Sequence, residues 1–525
     1  MQNICKKRSL LNLLVLSLFT YSFAFANQEI EKLTIQIPMR DGFELSTDLY
    51  IPKNSTSSLP CILIRTPGST KHQEIYKNLS SWGYVVAIQS LRSHHLPDQH
   101  PEPYFSDGWG KLQDGYDTIK WLGESSYTNG KIGTFGASAN GITQLLLAPT
   151  RPDHLKCQFI QVATPTLYNH AAYVGGKLCK HQIENWFAKV APKAYENIVK
   201  NTKYSKYWEQ VDVVKKAEYV KTPAIHIGGW YDLFSQGTLD SFNAWQLHGD
   251  EGAKGKQILV MGPWTHWGSS EDHFGEYSFP KTAYEFQENE LIKNWFGYHL
   301  KDEKTALDNT PAVLYFVMGP LDNTPSKGNQ WKSAESWPVP SNKQPYYLNK
   351  SRSLTTKAPL FSSRKYQFDY DPANPVTTTG GRNLYLASGP YDQSKNELRE
   401  DVLTFTTSNL EKDTEVSGRI NARIYLSSTA PSTDLALTVT DVYPDGKSVL
   451  ILEGIQHVKF DKEEIIPVEI DLWSTSMVFA KDHKIRLSIT SSNYPHFDKN
   501  SNPCKNTIHA GTKYPSQIIL PIVMD

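Results

Sequence analysis

The sequence lacks what a nucleic acid, a bilayer interior or a disulfide framework would require. Lys and Arg total 54 and Asp and Glu total 54, so there is no basic excess to neutralise phosphates and no polybasic patch for a lipid surface. Cysteine is scarce, five in 525 residues, and the spacings match neither a metal cluster nor a disulfide scaffold. Beyond residue 26 no apolar run is long enough to span a bilayer. There is no internal repeat and no long low-complexity tract. What remains is a globular composition, 39% hydrophobic and 12% aromatic, with material for two or three domains.

The first 26 residues read as a leader. Lys6, Lys7 and Arg8 precede an apolar run over 10–25, and Ala24-Phe25-Ala26 fits a small-x-small cleavage site. The expected product is secreted or periplasmic. An uncleaved anchor, the alternative, would need a longer span. With the leader set aside, four cysteines remain, and Cys61 and Cys157 fall in predicted strands as plain buried thiols.

Residues 32–38 and 45–51 predict a hairpin around Met39-Arg40-Asp41-Gly42. Short apolar runs follow at 61–64, 84–88, 131–135, 157–162, 224–227 and 258–261. Runs of that kind are buried on both faces, as in a parallel sheet. Helical spacing between some of them (Leu112, Tyr116, Ile119, Leu122) predicts a doubly wound α/β arrangement. Residues 166–221 interrupt the alternation with a mostly helical, Lys- and Tyr-rich stretch, expected to cap the site. After residue 340 short alternating strands dominate, predicting an all-β sandwich or jelly roll over 341–525. The α/β catalytic domain is therefore expected to occupy 27–165 and 222–340.

Strand residues 131–135 run into Gly136-Ala137-Ser138-Ala139-Asn140-Gly141 and then an apolar helix start. A strand, a tight turn and a helix with Ser at the apex make a nucleophile elbow. The strained turn lifts Oγ to the carboxyl edge of the sheet beside a helix N-terminus. The plain alternative is a glycine turn that happens to contain Ser. Asp232 follows the strand at 224–227, and His266 follows the one at 258–261. The order Ser, Asp, His is that of α/β-hydrolases. Singly these loop residues mean little; their joint order and placement predict a triad of Ser138, Asp232 and His266.

With these segments together, the sequence resembles the CocE/NonD-type hydrolases of the X-Pro dipeptidyl-peptidase superfamily, which include cocaine esterase, glutaryl acylases and α-amino-acid ester hydrolases. The resemblance also rests on Gly115-Tyr116-Asp117-Thr118, Gly229-Trp230-Tyr231-Asp232, Gly262-Pro263-Trp264-Thr265-His266, residues 441–446 and residues 491–495. It implies an α/β-hydrolase core, a helical cap, a C-terminal jelly roll and acyl-serine chemistry on small-molecule esters or amides. No cofactor, metal, nucleic acid or stable membrane association is expected of the sequence as a whole, and a homo-oligomer is left open.

The sequence departs from the family at the oxyanion hole. The tyrosine that the family supplies after the strand ending at Arg65 is replaced by Gly68, and the residue after the nucleophile is Ala139. The expectation is that the Ala139 N–H and the backbone N–H of Gly68 or Ser69 receive the oxyanion. Trp230, Tyr231, Trp264 and Trp267 flank the predicted Asp and His and are expected to line a substrate pocket; packing beneath the loops is the other reading. The run His94-His95-Leu96-Pro97-Asp98-Gln99-His100 has ligand-type residues but reads as a solvated loop, not a metal site. Two other functions remain open: an X-Pro dipeptidyl-peptidase, and a catalytically weak or inactive binding protein on the same fold.

Overall fold

The computed structural model describes residues 29–524 apart from 54, 56, 269–271, 275, 323 and 463, and excludes the side chains of 74, 75, 308 and 309. The leader expected at 1–26 lies outside the described residues. Among those described, no helix is long and apolar enough to cross a membrane.

A ten-stranded sheet forms the first half. Its strands are β1 (Ile30–Pro38), β2 (Glu44–Pro52), β3 (Cys61–Thr66), β4 (Val85–Ser90), β5 (Ile132–Ala137), β6 (Leu155–Gln161), β7 (Ala224–Tyr231), β8 (Ile258–Thr265), β9 (Val313–Val317) and β10 (Gln330–Ala334). They lie in the order β1-β2-β4-β3-β5-β6-β7-β8-β9-β10. From β4 to β9 neighbouring strands are parallel; the hairpin β1–β2 and the last strand are antiparallel. Every residue of β3, β4, β5, β7 and β8 is buried, as expected where both faces are covered. The longer α-helices of this half are α1 (Asp114–Glu124), α2 (Ala139–Leu147), α3 (Lys180–Val190), α4 (Pro192–Lys200), α5 (Ser235–His248) and α6 (Glu288–Lys301). Of these, α3 and α4 belong to the helical insertion.

The chain leaves the first sheet at Ala334 and enters an antiparallel β sandwich at Asn342. One sheet pairs the long strands Thr414–Ser428 and Ile466–Phe479 with four further strands and a short edge piece. The other has the order Leu403–Thr406, Lys484–Thr490, Ser432–Val442, Ser448–Lys459. Inward residues such as Ile424, Leu426, Leu437 and Leu487 share one core with residues of β7 to β9, so sandwich and catalytic sheet are packed directly together. The four described cysteines are buried and unpaired.

Two polar clusters place the loops. The β1–β2 turn is stapled to α1: Arg40 forks onto Asp117 at 2.8–3.1 Å, and Arg92 bridges Asp41 at 2.7 Å and Asp114 at 2.7 Å. Asp114 also sits in the first turn of α1, where the helix dipole favours a carboxylate. In the insertion, a hairpin of Tyr173–Val174 and Lys177–Leu178 docks on the sandwich. There the Gly175 carbonyl accepts from His457 N–H at 2.8 Å, and Lys177 pairs with buried Asp434 at 2.9 Å. Gly175 has φ +55 and no room for a side chain, since a Cβ would lie 1.8 Å from the Ile455 carbonyl oxygen.

Asp114 is fully buried, and its carboxylate is held by Arg92. Replacing Arg92 by Ala strands that carboxylate, at a cost of about 3–5 kcal/mol. Chemical denaturation of Arg92→Ala is expected to show that loss; a change below about 1 kcal/mol contradicts it.

Candidate active site

Ser138, Asp232 and His266 each lie one residue past a strand of the parallel sheet: β5, β7 and β8. Because β5, β6, β7 and β8 are consecutive parallel neighbours, their carboxyl ends share one edge. The elbow is visible in the backbone. Ser138 has φ 56 and ψ −122, a region that costs a non-glycine residue about 1–3 kcal/mol. Its N–H donates to the Gln161 carbonyl at 2.9 Å, and its own carbonyl accepts from Gly141 and Ile142. Two glycines leave space for the turn: a Cβ on Gly136 would lie 2.6 Å from Asn140 Cβ, and one on Gly141 would lie 2.7 Å from Ala163 Cβ.

The three side chains meet. His266 Nε2 is 2.9 Å from Ser138 Oγ, and His266 Nδ1 is 2.6 Å from Asp232 Oδ1. In the productive tautomer Nδ1–H donates to the carboxylate and Nε2 accepts from the serine hydroxyl. Asp232 is 0% and His266 2% exposed, so little water screens the pair. The Phe234 ring meets the imidazole edge-on, with centroids 5.6 Å apart.

Ser138 opens into a cleft of about 670 Å³, part of it continuous with solvent. Ser138, Ala139 and Ile142 form one side, with Phe234 beside them. Helices α3 and α4 supply Ile183, Trp186, Phe187, Ala194 and Ile198, and Leu384 comes from the C-terminal half of the chain. The insertion thus roofs the nucleophile.

Other expected site residues are placed differently. Ala139 begins α2, where a backbone N–H has no partner within the helix, and it lines the cleft. Gly68 does not line it. Its N–H donates to Thr66 Oγ1 at 3.2 Å and its carbonyl accepts from Ser90 Oγ, because a Thr two residues upstream readily closes such a local turn. Ser69 instead caps the following helical segment, its hydroxyl accepting from Lys71 N–H. None of Trp230, Tyr231, Trp264 and Trp267 lines the cleft. The Trp230 indole donates to the Phe316 carbonyl, the Tyr231 hydroxyl to Leu450 and the Trp264 indole to Ala283. These rings lie on strands buried on both faces and pack between the sheet and its neighbours; Trp267 lies edge-on to His266. Among the described residues no group of three or more His, Cys, Asp or Glu is arranged to hold a metal; His94 and His95 are exposed.

Sequence reasoning missed several contributors. The insertion's aromatic residues Trp186, Phe187, Tyr207 and Trp208 line the cleft, and their density was the available signal. Glu102, set between Pro101 and Pro103, also lines it. Nor did spacing reveal that Asn140 Nδ2 donates to Gln73 Oε1 at 2.9 Å, tying the elbow to the segment after β3.

A parallel sheet with Ser, His and Asp meeting at its carboxyl edge defines a serine hydrolase of the α/β-hydrolase fold. The family model for X-Pro dipeptidyl-peptidase (S15 family) matches residues 41–194 and 185–268, and that for the X-Pro dipeptidyl-peptidase C-terminal non-catalytic domain matches 305–519. Cocaine esterase from Rhodococcus sp. (strain MB1 Bresler) is 28% identical over 93% of this chain and 98% of its own. An aminopeptidase from a marine sediment Thaumarchaeota archaeon superposes with TM-score 0.80 at 19% identity, covering 94% of this chain and 97% of that one. An α-amino acid ester hydrolase superposes with TM-score 0.78 at 20% identity, covering 98% and 100%. The chain belongs to the CocE/NonD-type hydrolases of the X-Pro dipeptidyl-peptidase superfamily, and it is a serine hydrolase of the esterase type.

Proposed function

We propose that this protein is an exported esterase that cleaves a small-molecule acyl ester through an acyl-serine intermediate. The observation that supports it most is the pair of contacts from His266, 2.9 Å to Ser138 Oγ and 2.6 Å to Asp232 Oδ1. In this reading His266 Nε2 takes the hydroxyl proton as Ser138 Oγ attacks the ester carbonyl. Asp232 holds the imidazole tautomer and stabilises the imidazolium. The Ala139 N–H donates to the oxyanion of the tetrahedral intermediate. Collapse breaks the bond to the alcohol, which leaves with the proton from His266. Water then enters, gives its proton to His266, and releases the acid from Ser138. Export rests on Lys6, Lys7, Arg8, the apolar run over 10–25 and the Ala24-Phe25-Ala26 site.

The S15 family match keeps dipeptide release from X-Pro peptides as a second reading. Turnover of Ala-Pro-p-nitroanilide at a rate comparable to p-nitrophenyl esters would favour it over the esterase.

Ser138→Ala is expected to lower p-nitrophenyl ester turnover by at least about 10⁴-fold and to abolish labelling by a fluorophosphonate. Equal turnover by wild type and variant refutes the proposal. A second variant tests the oxyanion hole. A Cβ at Gly68 would meet only Thr66 Oγ1, at 3.8 Å, so a side chain is tolerated there. Gly68→Tyr, restoring the family's hydroxyl, is expected to raise kcat about tenfold or more. An unchanged kcat shows that a second donor is already in place.

A further inference from the structure

A second cleft, of about 860 Å³ and partly continuous with solvent, shares a wall with the catalytic one. The insertion, α5 and the C-terminal sandwich meet around it. The shared wall is the π-helical turn Tyr168–Ala172 with the residues just before it. Leu167, Ala171 and Ala172 line the catalytic cleft, whereas Thr166, Asn169 and His170 line the second. Turns of this kind are rare and recur at functional sites.

Two buried polar atoms on residues lining this cleft, Asp212 Oδ1 and Thr166 Oγ1, have no hydrogen-bond partner among the described residues. Asp212 is 5% and Thr166 4% exposed. The two residues pair across an isolated antiparallel bridge, which sets their side chains next to each other. The other carboxylate oxygen, Asp212 Oδ2, accepts from the Tyr204 hydroxyl at 2.6 Å. That bond brings no countercharge, and a buried carboxylate without one is costly. The neighbouring charges are engaged elsewhere. Arg419 pairs with Asp471 at 2.5 Å and lies 3.6 Å from Asp240, and His170 Nε2 is 3.4 Å from Asp240 Oδ2. Lys215 Nζ rests over the Tyr204 ring, 4.3 Å from its centroid. A guest that satisfies both orphaned atoms must bring hydrogen-bond donors and, for the carboxylate, a positive charge. An anion would face Asp212, and a neutral amide would leave its charge uncompensated. Among the described residues no group of His, Cys, Asp or Glu is arranged to hold a metal ion. An ammonium group meets both requirements.

We propose that this cleft is a second binding site, separate from the catalytic one, that takes a primary ammonium compound as an effector. A guest held by Asp212 and Thr166 fixes the start of the turn Tyr168–Ala172. The other side of that turn carries Leu167, Ala171 and Ala172 into the catalytic cleft, so occupation of one cleft changes catalysis in the other. The site itself stands apart from the hydrolase reading above, which supplies only its readout.

The test titrates n-butylammonium, tetramethylammonium and butyramide into the full chain during p-nitrophenyl acetate hydrolysis. The first offers charge and N–H donors, the second charge alone, the third donors alone. In wild type, n-butylammonium is expected to change the rate in a way that excess ester does not reverse. Its half-effect concentration is expected to be at least about tenfold below those of the other two, and to rise at least about tenfold in Asp212→Asn. Purely competitive inhibition puts the ammonium in the catalytic cleft and overturns the inference. So does no effect on the rate, an equal response to tetramethylammonium or butyramide, or a response that survives Asp212→Asn. If Asp212→Asn does not fold, Thr166→Val takes its place, with a rise of at least about threefold expected and an unchanged response overturning the inference. No hydrolysis by wild type sinks the hydrolase reading instead. The three compounds are then compared by calorimetric titration, where equal affinities overturn the site.

Discussion

The site depends on one backbone conformation, the left-handed turn at Ser138. Left alone, a serine would relax out of it at once. It persists because its surroundings over-determine it. The Ser138 N–H is fixed to the adjacent strand through Gln161, Gly136 lets Asn140 close over the turn, and Asn140 is held in turn by Gln73. This stack sets where Oγ stands, and the strand spacing of a parallel sheet does the rest. Asp232 and His266 rise from the next strands but one and but two, so the imidazole need only lean along the edge to reach both partners.

Buried charge positions the loops that the sheet leaves loose. Arg65, at the end of β3, pairs with Asp107, and both are buried. Burial raises the Asp107 pKa to about 6, and Arg65 opposes that rise. Asp107 closes the segment that begins with Glu102 and Tyr104. The wall of the cleft is thereby anchored to the same strand that leads towards Gly68. Such pairs add little net stability compared with apolar packing, but removing one partner is severe. Their value here is geometric: they fix loop position where hydrophobic contact is directionless.

The parallel sheet and the meeting of Ser138, Asp232 and His266 at its edge were legible because both obey local rules. Doubly buried strands read as apolar runs, and the elbow needs small residues around one serine, so 131–141 and the loops at 232 and 266 announced themselves. The sandwich was equally plain from alternation, which runs through Thr414–Ser428, Ser432–Val442 and Lys484–Thr490. Strands Arg364–Tyr370, Cys504–Ala510 and Gln517–Ile522 were not foreseen. Arg364–Tyr370 does alternate, but its exposed half is charged, and Cys504–Ala510 is largely polar. The pocket was misread for a different reason. Proximity in sequence to Asp232 and His266 made Trp230, Tyr231, Trp264 and Trp267 the obvious lining. Yet strand geometry sends Trp230, Tyr231 and Trp264 into packing between layers, Trp267 lies against His266, and apart from Phe234 the wall comes from distant segments such as Tyr104, Trp186 and Leu384. The Gly68 N–H is engaged locally, because Thr66 has a hydroxyl to offer it two residues upstream.

The C-terminal β sandwich touches the chemistry without contributing to it. It supplies Leu384 to the cleft and grips the hairpin around Gly175, so the insertion's roof rests on it as well as on the catalytic sheet. The height of that ceiling is therefore set from two sides. Drift in the sandwich can reshape what the enzyme accepts while the nucleophile and its partners stay untouched. Selection for new substrates has a lever remote from the reacting atoms, and transplanting this half between relatives would carry part of the selectivity with it.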